Sequence, residues 1–330
     1  MQTKQEVVVI TGASAGVGRA TARAFARRGA KIGLLARGVD GLVAAKREVE
    51  ELGGQALVLP VDVADHDAVE HAAGEVEKAF GPIDIWINNA MVSVFSPIME
   101  MRPEEYQRVT DVTYLGVVWG TLAALRRMKP RDHGSIVQVG SALAYRGIPL
   151  QSAYCAAKHA VQGFHDSLLC ELIHDKSNVR VVMVQMPALN TPQFRWVKSR
   201  LPRKGQPVPP IFQPEVAAEA IVWAAYSDRR EINVGWPAQK AIWGNNLVPA
   251  YADHYLAKHG YDGQMVDEPE TPGRPDNLWD PIPGDAGAHG VFDDRASPRS
   301  INLELNKRRP WIFAGLAVGL AASLIVARRR

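Results

Sequence analysis

Short, almost unbroken apolar runs recur along the chain at 7–11, 31–36, 56–61, 83–88, 135–140, 179–185 and 231–234. Between them lie longer stretches in which apolar residues return every three or four positions. The first pattern predicts strands and the second predicts helices. Runs without polar alternation are covered on both faces, so the alternation predicts an α/β fold: a doubly wound, Rossmann-type parallel sheet with helices on either side. Ligands of such sheets bind beyond the carboxyl ends of the strands, so chemistry is to be sought just after each run.

This pattern carries one main domain over residues 1–262. Residues 263–306 turn to Pro, Gly, Asp and Asn with little periodicity, which predicts a mostly irregular arm or linker whose Leu278, Trp279, Val291 and Phe292 can dock on the body. Residues 311–327 are uncharged and mostly apolar, between Lys307-Arg308-Arg309 and Arg328-Arg329-Arg330. At ~1.5 Å per residue they reach about 25 Å, slightly short of a ~30 Å hydrocarbon core. A helix lying at a membrane interface or packed on the body is the competing expectation. Apolar character on all sides, with Gly315, Gly319 and Ser323 at four-residue spacing, favours a transmembrane helix instead. Residues 307–330 are thus expected to be a C-terminal membrane anchor. No charged and apolar leader opens the chain, so the body is expected in the cytoplasm.

Apolar residues make up 47% of the sequence and charged residues 22%, which excludes general disorder. The formal charge is only +3, with six basic residues concentrated at the C-terminal end, so nothing supports nucleic-acid binding. The two cysteines, Cys155 and Cys170, fall fifteen positions apart in one predicted helix, too far along its axis to pair. There is no CxxC motif or Cys/His cluster to suggest a metal.

Thr11-Gly12-Ala13-Ser14-Ala15-Gly16-Val17-Gly18 closes the first strand and opens a helix. Glycines there let the backbone turn sharply and approach a pyrophosphate, which the helix-start N–H groups and dipole stabilise. The spacing is GxxxGxG, and a glycine turn alone is often only a tight connection; the strand before it and the helix after it make the functional reading. The next strand ends at Ala36 and is followed by Arg37, where an NAD enzyme of this fold places an acid on the adenosine ribose. A guanidinium at that place suits a 2′-phosphate, so NADP(H) is the expected cofactor, against the plainer reading of a solvated helix face.

Tyr154 and Lys158 are four apart on one helix face, and an ammonium beside a phenol favours the phenolate. Such a pair alone is a routine surface feature. Its position decides: Ser141, thirteen residues earlier, stands at the carboxyl end of a central strand beside the expected nicotinamide, where a hydroxyl can hold a substrate carbonyl.

The glycine turn, Asp62-Val63, Asn88-Asn89-Ala90, and Ser141 with Tyr154-Cys155-Ala156-Ala157-Lys158 together resemble the short-chain dehydrogenase/reductase family, in the same order over residues 6–235. The resemblance implies that Gly12, Ser14, Gly16 and Gly18 hold the pyrophosphate, with Val17 in the same turn. It implies that Asp62, beside Val63, meets the adenine, that Asn89 and Ala90 lie along the cofactor, and that Thr191 meets the carboxamide. It further implies that Ser141 orients the carbonyl and Tyr154 exchanges the proton, while Lys158 binds the nicotinamide ribose and lowers the tyrosine pKa. A homodimer is suggested through helices near 103–128 and 151–173.

Three positions depart from the family pattern. Met91 replaces the Gly after Asn-Asn-Ala, Ala188 replaces the Gly after Pro187, and Thr113 stands where a fourth catalytic Asn usually supports a relay water. Thr113 is expected to support that relay through a bound water. The expected activity is that of a membrane-tethered carbonyl reductase or alcohol dehydrogenase for a small apolar ketone or secondary alcohol. Phe194, Trp196, Val197, Leu201 and Ile211 in the 189–212 segment would form the substrate lid or else ordinary packing. The alternative is a non-catalytic NADP-binding scaffold or sensor at a membrane.

Overall fold

The computed structural model describes residues 5–309. Seven parallel strands form the central sheet: β1 Val7–Thr11, β2 Lys31–Ala36, β3 Gln55–Pro60, β4 Ile85–Asn88, β5 Ser135–Val139, β6 Arg180–Gln185 and β7 Glu231–Asn233. Their spatial order is β7-β6-β5-β4-β1-β2-β3. All neighbours run parallel, with Val8 opposite Ile32 on one side and Ile85 on the other. Because successive side chains point to opposite faces, Val8 and Ile10 enter one core layer while Val7 and Val9 enter the other.

Helices α1 Gly16–Ala26, α2 Val39–Glu51 and α7 Pro214–Ala225 cover the first face. The opposite face is covered by α3 His66–Phe80, α4 Pro103–Thr110, α5 Gly116–Met128 and α6 Ser152–His174. The strand order reverses between β1 and β4. Their carboxyl ends therefore open a crevice between Thr11 and Asn88, the place where doubly wound sheets bind ligands.

Two further helices, α8 Trp236–Leu247 and α9 Pro249–His259, follow β7. Residues 263–306 then return across the body. Met265–Pro269 pairs antiparallel with Arg203–Gly205, and Ala296–Ser297 pairs parallel with Ile211–Phe212. Leu278 is fully buried in the second core layer, and Phe292 is buried as well.

Among the described residues no helix is long and apolar enough to cross a membrane. The expectations of a transmembrane helix, of a C-terminal anchor and of a membrane-anchored location are corrected accordingly. The longest helix among the described residues, α6, has 23 residues but carries Lys158, His159, His165, Asp166 and Glu171 along its length. The helical residues 301–309 carry Glu304, Lys307, Arg308 and Arg309, and Lys307 pairs with Glu219 of α7. The apolar 311–327 segment lies outside the described residues.

Candidate active site

A single cavity of about 1150 Å³ runs along the carboxyl ends of β1, β2, β4, β5 and β6. That exceeds the ~300–1,000 Å³ typical of a small-molecule pocket and leaves room for a cofactor and a substrate side by side. Gly12, Ser14, Gly16, Val17, Arg37, Asp62, Val63, Asn89, Ala90, Ser141, Tyr154, Lys158 and Thr191 all line it. Gly18 and Thr113 do not.

The glycine turn is a cradle that side chains would fill. Gly12 has a φ of 68°, and a Cβ there would lie 2.9 Å from the Ala90 Cα and the Asn89 side-chain amide. A Cβ on Gly18 would run into the Gly12 carbonyl, so Gly18 serves the turn by close packing. Asn89 fastens the turn to β4: its Nδ2 donates to the Thr11 carbonyl at 2.9 Å, and its backbone N–H donates to Thr11 Oγ1 at 2.9 Å. One N–H of this helix start, that of Gly16, donates to the Gly287 carbonyl at 3.0 Å, and the side-chain-free turn around it fits a dinucleotide pyrophosphate.

Asp62 accepts from Ala64 N–H at 3.1 Å and from Arg108 Nη2 at 2.5 Å. Arg37 lies beside them with a different partner set from the one its position suggests. Its Nη1 donates to the Trp279 and Leu278 carbonyls at 2.6 and 3.4 Å, and its Nη2 to the Asn277 carbonyl at 2.5 Å. Three of the five guanidinium N–H groups are thus taken by the returning arm, leaving Nε–H and one Nη2–H.

At the other end, Ser141 is held at the tip of β5 by its backbone N–H, which donates to Gln185 Oε1 at 2.7 Å. Its hydroxyl accepts from Leu143 N–H at 3.1 Å and is also a hydrogen-bond partner of the Tyr154 phenol. Burial pushes the Tyr154 phenol well above its ordinary value, and the Ser141 hydrogen bond only partly opposes this. Lys158, buried on the same helix, donates from Nζ to the Val139 carbonyl at 2.7 Å and lies 5.6 Å from the Tyr154 ring centre. Burial pulls its ammonium down to about 8. Desolvation therefore dominates both groups, and the tyrosine is held protonated, contrary to the lowered pKa expected for it.

Thr113, expected to support a water relay, makes its hydrogen bonds here to Val92. It sits in the π-helical turn Asp111–Leu115 between α4 and α5, fully buried. Its hydroxyl donates to the Val92 carbonyl at 2.9 Å and accepts from Val92 N–H at 3.1 Å. It staples the loop after β4, and its one donor is taken there. Met91 lines the cavity. Of the lid residues, Phe194, Trp196 and Val197 line the cavity, whereas Leu201 and Ile211 are buried outside its lining.

The sequence reading missed Gln185, which ends the apolar Val181–Val184 run of β6 in a polar side chain at the carboxyl tip, a signal that was present. It also missed Val208, Leu256 and His259 of the lining, and residues 281–286 of the arm. The arm has no periodicity from which a wall could be read.

A family model described as short chain dehydrogenase matches residues 6–200. The chain belongs to this family. It is an oxidoreductase of alcohol and carbonyl groups that uses a nicotinamide dinucleotide. Over 324 residues it is 32% identical to an uncharacterized oxidoreductase, YxnA, of Bacillus subtilis, covering 97% of this chain and 90% of that one. An alcohol dehydrogenase from Thermococcus sibiricus, solved with 5-hydroxy-NADP, superposes with a TM-score of 0.60 at 30% identity and covers 70% of this chain and 95% of its own. A levodione reductase gives a TM-score of 0.60 at 26% identity, covering 69% of this chain and 95% of its own.

Proposed function

We propose that the chain is an NADP(H)-dependent carbonyl reductase or alcohol dehydrogenase for an apolar ketone or secondary alcohol, with Tyr154 as the proton-transferring residue. The carrying observation is that Ser141, Tyr154 and Lys158 share one cavity with a glycine cradle at a helix start. When bound, the dinucleotide supplies or accepts the hydride. Tyr154, kept protonated by its surroundings, donates to the substrate oxygen in the reductive direction. Ser141, whose oxygen already accepts from Leu143 N–H, retains its own proton for the same substrate oxygen. Lys158, fixed on the Val139 carbonyl, favours the phenolate left behind when it is charged.

Two features support NADP(H) over NAD(H). No acid follows β2, and Arg37 retains two N–H groups beside Arg108 at the adenosine end. The Thermococcus alcohol dehydrogenase, solved with 5-hydroxy-NADP, points the same way. Apolar substrates are supported by Phe95, Ile148, Phe194, Trp196, Val208 and Leu256 in the lining of the cavity. The test is fluorescence titration of the full chain with NADPH and NADH, followed by a screen of apolar ketones for NADPH oxidation. Tighter NADPH binding with ketone turnover supports the proposal. Tight binding without turnover of any ketone sinks the enzymatic part and favours a cofactor-binding scaffold. Preference for NADH sinks the assignment of Arg37.

A further inference from the structure

Between α9 and the helical residues 301–309 the chain crosses the adenosine and pyrophosphate half of the cavity. Asn277, Leu278 and Trp279 present their carbonyls to Arg37, and Leu278 also accepts from Arg108 Nε at 3.0 Å. Pro281 then passes over Gly38, and Gly284 N–H donates to Asp40 Oδ2 at 2.8 Å. Asp285 pairs with the buried Arg19 at 3.3 Å. The Gly287 carbonyl accepts from Gly16 N–H in the glycine turn at 3.0 Å. The strap thus touches in succession the residues next to Asp62, the end of β2 and the start of α1.

It roofs the cavity and does not fill it, since residues 281–286 and the glycine turn line the same open space. Both ends of the strap are fastened. Before it, Arg274 donates to the Arg195 and Val197 carbonyls of the lid, each at 2.7 Å, and Lys198 pairs with Asp276 at 2.9 Å. After it, the fully buried Asn190 donates to Asp293 at 2.8 Å and accepts from Phe292 N–H at 3.0 Å. His289 bridges Asp293 and Glu215 at 2.7 and 2.9 Å.

From this we infer that residues 277–287 form the outer wall of the dinucleotide site, closing over its adenosine and phosphate half, so that the cofactor enters and leaves only when the strap lifts. The inference rests on the dinucleotide reading of the cavity. Because one fastening is on the lid, movement of the substrate lid and release of the cofactor are coupled. A cofactor held in this way stays bound over several turnovers, giving its hydride to a ketone and taking one back from a secondary alcohol without leaving the site.

The test locks the strap in the full chain. Gly38 has an ordinary φ of −79°, and a Cβ on it would lie 3.4 Å from the Pro281 Cβ, at the short edge of the ~3.5–4.5 Å that a disulfide spans. Gly38→Cys with Pro281→Cys is oxidised by glutathione disulfide, which is itself reduced to two thiols, and the bridge is verified by mass. NADPH exchange is then followed by fluorescence in oxidised and reduced samples of the same protein, with Gly38→Cys alone as control.

Oxidation after loading is expected to slow NADPH release by ~10²-fold or more, oxidation before loading to block uptake, and reductant to restore both. Equal exchange in verified bridged and reduced protein overturns the strap while leaving the dinucleotide reading intact. Failure of NADPH and NADH to bind the wild-type chain overturns that reading and the strap together. Should the double variant not fold, Asp293→Ala with His289→Ala loosens the far fastening, and NADPH release is expected to quicken by ~10-fold. Unchanged release in that folded variant also counts against the strap.

Discussion

Gln185 accepts the backbone N–H of Ser141 at 2.7 Å, and its own Nε2 donates to Gln162 Oε1 at 2.7 Å. The serine is therefore positioned through a fully buried amide at the tip of β6. Gln185→Leu strands the Ser141 N–H and is expected to cost ~1–3 kcal/mol of stability, read by urea unfolding. It should also lower kcat more than it changes KM. Gln185→Glu keeps the acceptor towards Ser141 and loses the bond to Gln162, so it should recover activity ahead of stability. A leucine variant with wild-type kcat contradicts the positioning role.

Thr113 should matter for folding. Thr113→Val keeps the shape but leaves the Val92 N–H and carbonyl without their partner, an expected loss of ~1–3 kcal/mol in a urea melt. A valine variant of unchanged stability but lowered turnover would return Thr113 to the proton relay.

Burial sets the Lys158 ammonium near 8, so the group is charged below that pH and neutral above it. Only the charged form stabilises the phenolate produced when Tyr154 gives up its proton. Reductive kcat/KM is thus expected to be flat below about 8 and to fall as pH rises through it. Lys158→Met should lose this limb together with ~10²–10⁴-fold in rate. A limb that survives in the methionine variant belongs to another group.

At the far fastening of the strap, burial alone would lower the His289 pKa, but Glu215 and Asp293 outweigh it and the net shift is upward from 6.5. A raised folded value means the link contributes fully below about 6.5 and is lost as pH climbs through the higher folded value. Limited proteolysis at Arg274 and Arg295 should quicken over that rise in pH more than cleavage elsewhere. His289→Ala should cleave quickly throughout.

The five inner strands were legible as apolar runs buried on both faces, while β3 and β7 at the sheet edges are only partly buried, and the glycine turn was legible because its glycines sit between a strand and a helix. Ser141, Tyr154 and Lys158 were legible through their spacing and their place at a strand end. The sense of the Tyr154 pKa shift was not, since it depends on burial that spacing does not report. Arg37 was read from its place after β2, but three of its donors go to carbonyls some 240 residues away in sequence. An aperiodic, Pro/Gly-rich segment gives no local sign of the wall it forms.

The most direct measurement is single-turnover NADPH oxidation by a ketone that the wild-type chain reduces, compared with Tyr154→Phe at matched NADPH saturation. The account predicts that the phenylalanine variant binds NADPH within about twofold of wild type while its chemical step slows by ~10²–10⁴-fold. An undiminished chemical step in that variant contradicts the assignment of Tyr154 as the proton donor.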